Sequence, residues 1–139
     1  MLLHYVAKGD FNKARDLIDG GKSIWVMDEY GRNVLQVAAK ECHFNIVKYI
    51  VENRRQELTV KVIKGAIKEA KAAKKRLILE ISDLMKEIDL TEPGHMEMLD
   101  EKADIKNAKL QDCLKIIDYL KKVKREKKSK RRKTKKSIF

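Results

Sequence analysis

Asp28-Glu29-Tyr30-Gly31-Arg32-Asn33-Val34-Leu35-Gln36-Val37-Ala38-Ala39-Lys40-Glu41-Cys42-His43-Phe44-Asn45-Ile46-Val47-Lys48-Tyr49-Ile50-Val51 is the stretch that decides the fold. Gly31 closes a turn, because glycine tolerates a positive φ. Ala38 and Ala39 are small enough to let two helices approach closely. Ile46, Val47, Ile50 and Val51 recur at i, i+1, i+4 and i+5, which makes one apolar helix face. A unit this small cannot bury that face by itself, so it needs neighbours.

The Asp28–Gly31 turn, Leu35 with Ala38-Ala39, and His43 with Ile46-Val47 together resemble an ankyrin repeat, a unit of about 33 residues built from a turn and two helices. The resemblance covers one repeat well and a second in part, within residues 1–53. Two departures stand out. The family carries Thr-Pro-Leu-His where this chain has Asn33-Val34-Leu35-Gln36, and Cys42 stands where the family has glycine between its helices. They predict an atypical repeat with an altered or strained turn at Cys42.

Upstream, at an offset of 33, Leu2 falls on Leu35, Gly9 on Cys42, Phe11 on Phe44, and Leu17-Ile18 on Ile50-Val51. At an offset of 32, Leu3-His4 falls on Leu35-Gln36 and Ala7-Lys8 on Ala39-Lys40. Gly20-Gly21 follows the second helix, where a C-terminal glycine is expected. The first unit lacks its own Asp-x-x-Gly turn, which is consistent with a trimmed N-terminal cap or with a piece of a longer array.

After Asn53 the pattern decays. Val62, Ile63, Ala66, Ile67 and Ala70 keep helical spacing, and so do Leu77, Ile78, Ile81, Leu84, Met85 and Ile88. This predicts two helices or one bent helix over residues 58–89, as a degenerate third pair or a single long element. Thr91-Glu92-Pro93-Gly94 is the clearest breaker. A last helix is predicted from about Met96 to about Lys124, striped by Leu99, Ala103, Leu110, Cys113, Leu114, Ile117 and Leu120 and some 43 Å long at about 1.5 Å per residue. It should fold back as an antiparallel hairpin, with part of it projecting as a coiled-coil-like arm. The expected architecture is all-α: an ankyrin-like stack over 1–57, a helical cap or hairpin over 58–124, and a disordered basic tail over 125–139.

Of the 139 residues, 43% are hydrophobic and 39% charged, with one Pro and six Gly. That balance fits a helical chain with a core and long exposed faces. The net charge of +12 is concentrated: residues 121–136 hold twelve Lys or Arg against Glu126 alone, which is +11. A charge block of this kind concerns partners and solubility rather than fold. Cys42 and Cys113 lie 71 positions apart, with no C-x-x-C spacing for zinc or redox chemistry. Two cysteines make no disulfide framework, so a reducing intracellular setting, cytoplasm or nucleus, is expected. No apolar run reaches the roughly 20 residues needed to span a bilayer.

Nothing in the chain points to catalysis, a cofactor or a metal. His4, His43 and His95 have no ligand-spaced partners, and no phosphate loop or nucleophile elbow is present. The resemblance implies a non-enzymatic protein–protein interaction module that docks an unidentified partner through its linker tips and first helices. Those positions are Ile24, Trp25, Met27, Glu29, Tyr30 and Arg32. Apolar and aromatic residues flanked by charge suit an interface core, or else Trp25 and Tyr30 pack between neighbouring repeats. The alternative is a nucleic-acid-binding or nuclear-targeted protein acting through residues 121–136. Lys130-Arg131-Arg132-Lys133 resembles a nuclear localisation signal, and Lys121, Lys122, Lys124 and Arg125 add a second cluster. Such runs bind polyanions through phosphate contacts. A solubilising tail without a receptor is the plain reading of the same residues.

Overall fold

Each short apolar run between glycines or polar caps becomes a helix. In the computed structural model, α1 spans Leu2–Lys8, α2 Phe11–Asp19, α3 Val34–Lys40 and α4 Phe44–Arg54. A 3-10 turn over Arg55–Glu57 leads to α5, Val60–Leu90, and then α6, Pro93–Ile138. The structure describes residues 1–90 and 93–138, and the side chains of 1–88 and 97–129. It is helical throughout, with no strand among the described residues.

The helix ends follow local chemistry. Asp10 caps α2 by accepting the Lys13 N–H. Asn33 and Gln36 form a reciprocal capping box on α3, each side chain accepting the other's backbone N–H at 3.0 Å. Asn33-Val34-Leu35-Gln36 therefore starts its helix well without Thr or His. Thr59 accepts the Val62 N–H at the start of α5. Gly9, Gly21 and Cys42 end α1, α2 and α3 with φ of 81°, 83° and 62°. In each case the next residue's N–H reaches five positions back, to Tyr5, Leu17 and Ala38 respectively.

Packing arranges the helices in two rows. α1 lies on α3 and α3 on α5, while α2 lies on α4 and α4 on α6. α3 is the middle of its row, and Val34, Leu35, Val37, Ala38 and Ala39 are all buried. Ile46, Val47, Ile50 and Val51 bury the matching face of α4. Three contacts tie the first pair to the second. His43 bonds the Ala7 carbonyl at 3.2 Å, its ring lying where a Cβ on Gly9 would be. Arg54 donates to the Ile18 and Lys22 carbonyls at 2.9 and 3.1 Å, satisfying the end of α2. Tyr49 bonds Asp19 and meets Phe11 edge to face.

α5 is a single helix over residues where two helices, or one bent one, were expected. Buried Ala66, Ala70 and Ala73 carry it past the supposed break, and no Gly or Pro interrupts it after Gly65. α6 runs antiparallel to it: Cys113 Sγ lies 2.9 Å from the Ala70 carbonyl, and Lys106 reaches Glu80 at 2.7 Å. Pro93 opens α6, where its missing N–H costs nothing.

α6 also corrects the expected onset of the tail. Like charges repel along a helix, and the last helix was expected to end at about Lys124 with disorder from 125, yet the helix continues through the described residues beyond that point. Val123 is buried, Glu126 pairs with Arg55 at 2.5 Å, and Lys127 donates to the Arg55 carbonyl at 2.7 Å. Docking on the α4 end outweighs like-charge repulsion here. The greater part of the expected disordered tail, 130–139, lies outside the described side chains.

Candidate interaction surface

The linker between the helix pairs presents the most exposed apolar cluster in the stack. Trp25, Val26, Met27 and Tyr30 are 40%, 45%, 60% and 72% exposed. Glu29 is exposed beside them. Scattered exposed apolar residues need no explanation, but four within six positions on one loop are a surface feature.

The loop is built to hold that cluster still. Asp28 Oδ1 accepts from the N–H groups of Tyr30 and Arg32 at 2.9 and 2.8 Å. The Asp28 N–H donates to the Arg32 carbonyl, and Gly31 turns the tip with φ of 77°. The Arg32 guanidinium lies 3.7 Å from Asp28 Oδ2, 3.2 Å from Glu69 of α5 and 5.1 Å from the Tyr30 ring centre. Burial pushes the Asp28 carboxyl up. The N–H donations from Arg32 and Tyr30 and the nearby guanidinium outweigh it, and the carboxyl is held below its usual range. The Glu69 carboxylate in turn raises Arg32. At the linker's other end, Ser23 accepts the Trp25 N–H at 3.1 Å.

Of the six residues expected to contact a partner, Trp25, Met27, Glu29 and Tyr30 share this exposed loop. Ile24 does not: it is 3% exposed and belongs to the core, its carbonyl accepting from Val34. Arg32 is half-buried and engaged with Asp28 and Glu69, so it positions the loop. Tyr30 is mostly exposed, whereas the larger part of Trp25 is covered by its surroundings. Val26 was missed, and its place between Trp25 and Met27 was the available signal.

The basic residues are divided. Lys122 and Arg125 are exposed on α6, and Lys121 and Lys124 are half-buried. Lys130, Arg131, Arg132 and Lys133 lie outside the described side chains, as does His95. A depression of about 950 Å³ lies where Glu52–Val60 meets Lys127. Its charges already satisfy one another, Arg54 with Glu57 and Arg55 with Glu126. The two thiols, distant in sequence, come together: Cys42 and Cys113 are both buried, and the neighbouring Cys113 thiol, with burial, pushes Cys42 up. Among the described residues no His, Cys, Asp and Glu group could hold a metal, and no helix is long and apolar enough to cross a membrane.

No protein-family model, curated protein or solved structure matches the chain.

Proposed function

We propose that the chain is a non-enzymatic protein–protein interaction module of ankyrin-repeat type. It acts inside the cell, in cytoplasm or nucleus, and docks a protein partner through its linker tip and the adjoining first helices. The observation that carries this reading is the exposed Trp25-Val26-Met27 and Tyr30 cluster on a loop closed by Asp28 and Arg32. Large apolar and aromatic side chains held rigid before binding lose little entropy on docking, which is what an interface hot spot requires. Support for the repeat reading comes from two successive short helix pairs that lie row on row, with left-handed caps at Gly9 and Cys42 in matching places.

Affinity capture with the intact chain tests it, against Trp25→Ala/Tyr30→Ala and a variant with Lys130, Arg131, Arg132 and Lys133 changed to Gln. The expected partner is retained by the tail variant, changes little with salt, and is lost with the loop variant. Retention of the same partner by the loop variant sinks the reading.

The second reading, nucleic-acid binding or nuclear targeting through 121–136, draws support from the +11 charge of that segment. In the same experiment it corresponds to nucleic acid alone, captured by the intact chain and lost from the tail variant and at high salt.

A further inference from the structure

Away from both the loop and the tail, α5 carries an unbalanced line of charge. Lys61, Lys64, Lys68, Lys71 and Lys75 are spaced by three and four residues, so they form one stripe along the helix. At about 1.5 Å per residue the stripe is about 21 Å long. All five are exposed. None forms an ion pair among the described residues, because the acids around them are engaged elsewhere. Glu69 faces Arg32, Glu57 faces Arg54, Glu126 faces Arg55 and Glu80 faces Lys106. Across the groove between the last two helices, Lys124 of α6 joins Lys64, Lys68 and Lys71 over a floor formed by Ile67. Six ammonium groups aligned without counter-charge gain nothing from one another, and the fold does not need them there.

We propose that this row is a docking site for the phosphodiester backbone of double-stranded nucleic acid, bound without base readout. The row lies on one unbroken stretch of helix. Measured along a duplex axis, where each strand places one phosphate per about 3.4 Å, its length matches about six phosphates of one strand. Lysine ammonium groups act as point charges on phosphate and lack the fork geometry with which arginine reads guanine. α5 carries no aromatic residue, so unpaired bases find no stacking platform there. A membrane surface would require apolar side chains seated beside the charges. Between Lys61 and Lys75 the apolar residues other than Ala72 and half-buried Val62 are buried. The site is independent of the loop reading, and its residues lie outside the segment 121–136 except for Lys124.

The test uses the full chain with Lys130, Arg131, Arg132 and Lys133 changed to Gln, which removes the tail cluster from the comparison. Fluorescence anisotropy with labelled DNA and RNA duplexes of mixed sequence is followed across a salt series. Binding to either duplex is expected, with log K falling against log salt at a slope of about −5. DNA or RNA preference identifies the natural source. Adding Lys64→Gln, Lys68→Gln and Lys71→Gln should weaken binding at least tenfold and make the slope shallower by about 3. Glutamine is a good helix former, and an unchanged circular dichroism melt shows that the fold is intact. The proposal is overturned by any of three results: no duplex binding, equal binding with and without the three glutamines, or equal binding of single strands, polyglutamate or phosphatidylserine vesicles.

Discussion

Gly9 and Cys42 occupy the same place in successive helix pairs, yet only glycine adopts a left-handed φ without cost. Cys42 holds φ of 62°, at a cost of about 1 kcal/mol. Its side chain is buried beside Cys113. At Gly9 a side chain meets a second obstacle besides the left-handed φ, because a Cβ would lie 2.6 Å from His43 Cε1. Gly9→Ala should therefore destabilise the fold by about 2 kcal/mol, read from the shift of a urea midpoint. Asp28 gives a pH signature. Its folded carboxyl is held below the ordinary value, so its contribution is complete above about pH 3.9 and is lost as pH falls through the lower, folded value. Asp28→Asn keeps an acceptor for the Tyr30 and Arg32 N–H groups but loses the charge. Its stability should be lower at neutral pH and should vary less than the parent's between about pH 5 and about pH 2. Gly31, whose role is local to its own turn, was legible from sequence. The Cys42–Cys113 meeting and the burial of Ile24 depend on distant chain folding over them, and no spacing announces that.

Among the elements, α3 bears the heaviest packing demand for its length. Only Gln36 and Lys40 of its seven residues escape full burial. Its cap is itself buried at Asn33, so Asn33→Ala removes an acceptor from the Gln36 N–H where water cannot readily replace it. The expected loss is about 1 kcal/mol. Leu35→Ala leaves a cavity between helix rows and should cost about 3 kcal/mol. Chemical denaturation of both variants should preserve that order. Element type was legible because the apolar faces of α3 and α4 carry a clean helical period. Element length was harder. α5 reads as either two helices or one bent helix because its apolar stripe changes neighbours, from α3 near Ala66 to α6 alone beyond Leu77. The same helix serves two surfaces in turn. α6 reads too short because charge repulsion is local, whereas the docking of Val123 and Glu126 onto the α4 end is tertiary.

At the scale of the molecule, each row closes on the hairpin. α5 covers α3, and Tyr119 of α6 meets Phe44 of α4 edge to face at 5.8 Å. Residues 1–57 alone would expose the buried faces of α3 and α4, and a chain that short has little core to spare. A protein truncated after Glu57 should show no cooperative thermal transition by circular dichroism, while the intact chain shows one.

The hairpin also outruns the body it closes. The last residue of α5 in the shared core is Leu77, and about 20 Å of helix follows it to Leu90. There α5 has only α6 beside it, with Ile78, Leu79, Met85, Met98 and Ile105 facing water. Two helices protect only the strip between them, so opening that end requires little of the rest to move. Amide protons there should exchange with deuterium through local fraying, while those of α3 wait for the whole protein to unfold. The protein thus carries its own gradient of permanence, firmest around α3 and most transient along the stretch of α5 just beyond Leu77.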